Sequence, residues 1–211
     1  MNIDGVWAAI DDHRIRTADL LETLRDEEWQ HASLCEGWTV RDVAAHLTLQ
    51  QVGLRQAVTM LPVMVRHPGG VNAMIHWSAR QKAHAPTPQL IREIRAMIGS
   101  RRHNIGLTPR ETLIDILVHG QDIALPLGRT LPMAPAAAAE AASHILNSPH
   151  WKSKVFQQNG FRSASLHATD IDWSVGSGSE VRGPMWALLL AVTGRRAALD
   201  ELSGHELGES D

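Results

Sequence analysis

Thr108-Pro109-Arg110-Glu111-Thr112-Leu113-Ile114-Asp115-Ile116-Leu117-Val118-His119 is the stretch on which the reading of this chain turns. Thr108 supplies an N-cap, Pro109 fits the first helical position, and Glu111 completes a capping box at the third. The helix so opened is expected to run to about Leu125 and to stop near Pro126 and Gly128. Its apolar residues surround Asp115 on nearly every face, so most of this helix faces protein rather than water. A carboxylate in that setting is costly without a cation partner or a metal. His119 stands at i+4 from Asp115, about 40° away in direction and one turn along, so the two side chains can converge.

A second stretch has the same character. Thr39 reads as an N-cap with Asp42 at its third helical position, opening a helix expected over 40–61. His46 lies among Val43, Ala44, Ala45 and Leu47. Two bundle helices that each offer inward polar ligands are one way to build a metal site. The imidazoles of His46 and His119 with the carboxylate of Asp115 suit zinc or a related divalent ion, and three protein ligands leave one position open. Spacing alone leaves another reading open: core histidines satisfied by hydrogen bonds, beside a buried ion pair.

Working outward, hydrophobic periodicity predicts helices over 3–25, 71–82, 88–102 and 134–146. A connector covers 26–37, and the segment 62–70, with Pro62, Pro68, Gly69 and Gly70, reads as a loop. Beyond Pro149 the texture changes. Residues 161–175 read as two short strands, Gly176, Gly178 and Gly183 as loop markers, and 184–202 as one amphipathic helix. The expected organisation is a helical bundle over 1–149, a small α+β (ββα) domain over 150–205, and a disordered polar tail over 206–211.

The chain has 211 residues, of which 44% are hydrophobic, enough for a buried core. A formal net charge of −3 and no basic stripe argue against a nucleic-acid partner. No apolar run is long enough to span a membrane. The first residues lack the basic and apolar regions of a signal peptide, so a cytoplasmic location is expected. Cys35 is the only cysteine. It rules out an internal disulfide and a multi-cysteine zinc site, so any metal must be held by histidines and carboxylates.

Residues 34–48, LCEGWTVRDVAAHLT, and 111–128, ETLIDILVHGQDIALPLG, together resemble the two signature helices of the mycothiol-dependent maleylpyruvate isomerase family, within the DinB/YfiT-like superfamily. Residues 170–204 resemble that family's small C-terminal domain. The resemblance implies a DinB-like antiparallel four-helix bundle, metal-ligand roles for His46, Asp115 and His119, and mycothiol as cosubstrate. One departure stands out. The position of Asp115 is Glu in the maleylpyruvate isomerase pattern, so the shorter Asp must approach more closely or bind through one oxygen.

A metal with an open position lowers the pKa of a bound thiol, and the thiolate is the nucleophile, so no protein nucleophile is required. Addition to an activated double bond, rotation and loss of the thiolate give cis–trans isomerisation. Addition or displacement without loss gives mycothiol S-transfer onto small electrophiles, a detoxification reaction. Two other readings use the same ligands: a hydrolase that activates water, and a metal- or ligand-binding protein without catalysis. Gln50, one turn beyond His46, and Asp122, at i+3 from His119, are candidates to orient the ligands. Arg195 and Arg196 are candidates to reach a carboxylate of thiol or substrate, with solvent as the alternative. His13 reads as a core or rim histidine, Cys35 as a packed small residue, and Trp38 as packing at the helix entry.

Overall fold

The computed structural model describes residues 1–53, 70–148, 161 and 164–204. They fall into two compact units, Asn2–Pro132 and Met133 onward, the second also including Met1. The first unit holds α1 (Ile3–Glu22), α2 (Val40–Leu47), α3 (Gly70–Lys82), α4 (Thr87–Ala96) and α5 (Pro109–Ala124). Here α1 packs on α5 and α4, while α2 packs on α3, α5 and α4. The core between them is built from Val6, Ile10, Leu21, Val43, Leu47, Leu90, Ile94, Leu113 and Leu117, all essentially inaccessible. Each such Leu or Ile stabilises the fold by roughly 1.5–3 kcal/mol relative to exposure.

Both expected helix starts are built as capping boxes. Thr39 N donates to Asp42 Oδ2 at 2.9 Å and Asp42 N to Thr39 Oγ at 3.2 Å. Thr108 N donates to Glu111 Oε2 at 2.9 Å. The helix expected over 40–61 is shorter, because α2 closes at Leu47. Thr48 Oγ donates to Ala45 O at 2.7 Å and Leu49 N turns to His46 O at 2.8 Å, so the hydroxyl competes for the carbonyls that would continue the helix. The rest of that expected helix from 54, and the expected loop as far as 69, lie outside the described residues.

The second unit holds α6 (Pro135–Asn147), β1 (Ser165–Ala168), β2 (Ser174–Val175), β3 (Glu180–Gly183), α7 (Met185–Val192) and β4 (Ser203–Gly204). The sheet order is β2-β1-β3-β4, with β1 parallel to β3 and the outer pairs antiparallel. Within this unit α6 lies against α7, and Trp173 Nε1 donates to Ser143 Oγ at 2.9 Å. The small C-terminal sheet expected there has four strands, since Gly183, expected as a loop marker, lies in β3 and the segment 203–204 forms β4. The helix expected over 184–202 ends at Val192, where Gly194 adopts φ 85° and Arg195 N returns to Leu190 O at 2.9 Å. That is the left-handed glycine stop that other residues resist. What remains of the expected helix is a 3-10 turn, Arg196–Glu201. Among the described residues no helix is long and apolar enough to cross a membrane.

Candidate metal centre

Helix α5 carries Asp115 and His119 one turn apart, and α2 presents His46 to the same point. His46 Nε2 lies 3.2 Å from Asp115 Oδ1, and His119 Nε2 lies 3.4 Å from that same oxygen. One donor atom from each of the three residues falls within 4.8 Å of the others. Their side chains retain 16% (His46), 27% (Asp115) and 16% (His119) exposure, so the cluster opens toward solvent rather than closing inside the core.

Behind this opening the donors are held from the protein side. His119 Nδ1 lies 2.8 Å from Oδ2 of Asp122, whose side chain is fully buried. The carboxylate can only accept, so Nδ1 carries a proton, and Nε2 is the nitrogen that faces the cluster, where a metal would displace its proton. Cys35 Sγ donates to the same Asp122 oxygen at 3.1 Å and lies 3.5 Å from His119 Nδ1. On the other side Gln50 Nε2 donates to Asp115 Oδ2 at 2.7 Å. Gln50 therefore meets the carboxylate and not the imidazole of His46, because the chain has already left the helix at Thr48.

The electrostatics follow from this packing. Burial opposes charge on Asp115, but the charge of His46 and hydrogen bonds from His119 and His46 outweigh it, and the carboxyl lies well below its usual range. Burial likewise opposes charge on His119. Hydrogen bonds with Asp115, Asp122 and Cys35 prevail and raise it well above the usual imidazole range. A cluster with two carboxylates around two imidazoles thus attracts positive charge.

Donor geometry also suits an ion. Ligand atoms about 2.0–2.1 Å from a tetrahedral ion stand about 3.3 Å from one another. The separations of 3.2 Å and 3.4 Å match such an edge. They are longer than the roughly 2.7–2.9 Å of a charge-assisted N–H···O bond. A divalent ion bound by two imidazoles and one carboxylate therefore fits the residues present.

The connector before α2 forms the wall. Trp38 N donates to Cys35 O at 3.0 Å across a turn through Gly37, and Leu34 N reaches Asp122 O at 3.1 Å. This holds Trp38, only 5% exposed, with its ring centroid 5.4 Å from His46 and 6.4 Å from His119. Its indole N–H donates to His76 Nδ1 at 2.7 Å, which brings a further histidine from α3 to the same wall.

Of the remaining candidates, His13 is a core residue, 2% exposed beside Gly120, and burial lowers its pKa to about 4. Arg195 lies in the second unit, half-buried, with Nη1 donating to Thr193 O at 2.7 Å, and Arg196 is exposed. Sequence reasoning missed Arg14, His76 and the polar role of Cys35. Arg14 is fully buried, and its guanidinium donates to Gln50 Oε1 from Nε at 3.3 Å and Nη2 at 3.1 Å. Arginine on an outer helix ordinarily reads as surface; its position among Ile10, Thr17 and Ala18 on one helix face was the available signal.

Known proteins share this architecture. Residues 10–124, more than half of the chain, match the family described as the mycothiol maleylpyruvate isomerase N-terminal domain. The crystal structure of the mycothiol-dependent maleylpyruvate isomerase aligns over 100% of this chain and 95% of its own, with 14% identity and a TM-score of 0.60. A single-residue mutant of that enzyme aligns over the same shares, with 13% identity and a TM-score of 0.63. At such identities the likeness establishes a common fold. No curated protein matches the sequence.

Proposed function

From the premise that this chain belongs to the mycothiol maleylpyruvate isomerase family, a family of enzymes, we propose that it is a metal- and mycothiol-dependent isomerase of a maleylpyruvate-like electrophile. His46, Asp115 and His119 would hold a divalent ion, zinc by its preference for this donor set. Bound there, the ion would supply Lewis acidity that favours the thiolate form of the cosubstrate near neutral pH.

The protein's own groups do the rest. Asp122 keeps the proton of His119 on Nδ1, so that Nε2 stays available to the cluster. Trp38 removes water from one side. Cys35, whose Sγ donates to Asp122, serves as a hydrogen-bond donor and not as the nucleophile. The carbon–sulfur bond formed when mycothiol adds to the double bond is the bond broken after rotation, so the thiol is regenerated and the net change is cis to trans. The same ligands would serve S-transfer onto other small electrophiles, with the thiol retained in the product.

The convergence of three donors from two helices on one partly open point carries this reading. The test is turnover of maleylpyruvate by protein loaded with zinc, with and without mycothiol. Isomerisation that needs both supports the proposal. Product bearing the thiol assigns S-transfer instead, and hydrolysis of esters or amides without thiol contradicts both.

A further inference from the structure

Asp115 offers two oxygens, and the structure treats them differently. Oδ1 faces His46 and His119, while Oδ2 accepts from Gln50 Nε2 at 2.7 Å. Gln50 is itself buried, 3% exposed, and its amide could in principle present either end. Arg14 removes that choice. A guanidinium has donors only, so the carbonyl of Gln50 must face Arg14, and the NH2 group must face Asp115.

Arg14 is in turn fixed from both sides. Nη1 donates to Met97 O at 2.9 Å and lies 3.6 Å from Asp11 Oδ1, and no part of the side chain is exposed. A buried cation is costly without such partners. Its placement two hydrogen bonds behind the cluster therefore has a structural consequence at the cluster.

We propose that Arg14 is a positioning residue: through Gln50 it occupies Oδ2 of Asp115, so that the carboxylate gives only Oδ1 to the ion shared with His46 and His119. This rests on the metal-centre reading above. It makes a specific claim beyond it, that one-oxygen binding by the short aspartate is enforced by the α1 arginine. A carboxylate free at both oxygens would chelate, raise the coordination number and use the position a thiol needs.

Cobalt(II) titration of the apoprotein tests this without turnover, because d–d absorption is intense for four-coordinate cobalt and weaker at higher coordination. The parent chain is expected to give the intense spectrum. Gln50→Leu, which frees Oδ2 to chelate, is expected to lose several-fold in d–d intensity as the coordination number rises. Arg14→Lys, which keeps the charge but loses the two-pronged hold on the amide, is expected to move in the same direction by less. Circular dichroism checks that each variant is folded. An unchanged spectrum in Gln50→Leu overturns the proposal. A change in Gln50→Leu with none in Arg14→Lys overturns the role of Arg14. Failure of the parent chain to bind cobalt overturns the metal-centre reading itself.

Discussion

Oδ2 of Asp122 lies 2.8 Å from Nδ1 of His119, and that carboxylate has no exposure to water. The contact holds a proton on Nδ1 of the proposed ligand His119 from inside the core. Asp122→Asn keeps the shape but replaces a charged acceptor with a neutral amide. Metal affinity is expected to fall roughly 10- to 100-fold, with the helical circular dichroism unchanged. Competition against a chelator of known affinity reads this directly; unaltered affinity would remove Asp122 from the account.

The capping box at Thr39 fixes the start of α2, which carries His46 only two turns on. Thr39→Ala removes the hydroxyl that accepts from Asp42 N, and is expected to lower stability by about 1 kcal/mol. For a chain of this size that corresponds to roughly 2–4 °C in Tm. A calorimetric scan that shows no shift would mean the connector alone sets the helix start.

His13 links stability to pH. Its pKa falls from 6.5 in the unfolded chain to about 4 in the fold because burial excludes the charged form. Between those values the unfolded chain binds more protons, so stability rises with pH. The contribution is complete above about pH 6.5 and is lost as the pH falls toward 4, in all about 3 kcal/mol. Urea titrations of the parent chain and of His13→Gln over this window should show a steeper fall in the parent. Parallel slopes would contradict the assignment.

Gly120 is the residue after His119, and a Cβ there would lie 2.7 Å from His13 Nε2 and 2.8 Å from Leu131 Cδ2. Gly120→Ala is therefore expected to destabilise by about 1–3 kcal/mol, despite the higher helix propensity of alanine. Gain of stability in a denaturant titration would show that the packing between α1 and α5 yields more readily than these distances imply.

The sequence made some of this legible and hid the rest for physical reasons. Asp115 and His119 were readable because a helix fixes the relation of i and i+4, and both capping boxes because their donors and acceptors lie three residues apart. Contacts across helices leave no such spacing. Arg14, Gln50 and Asp115 come from three separate segments, so only the fold joins them. Cys35 looked like a small packing residue because the turn that aims it at Asp122 depends on Leu34 meeting the α5 backbone. The break at Thr48 went unread since the apolar pattern continues past it, while the stop at Gly194 was visible as a glycine and was outweighed by the leucines around it. Strand β3 carries few apolar side chains, and its register comes from β1 and β4 rather than from its own alternation.

Elemental analysis of the purified protein, beside His46→Ala, Asp115→Ala and His119→Ala, tests the central claim most directly. The account predicts one equivalent of divalent metal per parent chain, and its loss from each variant while the helical signal is kept. Metal absent from the parent after zinc loading, or retained in full by all three variants, would contradict it.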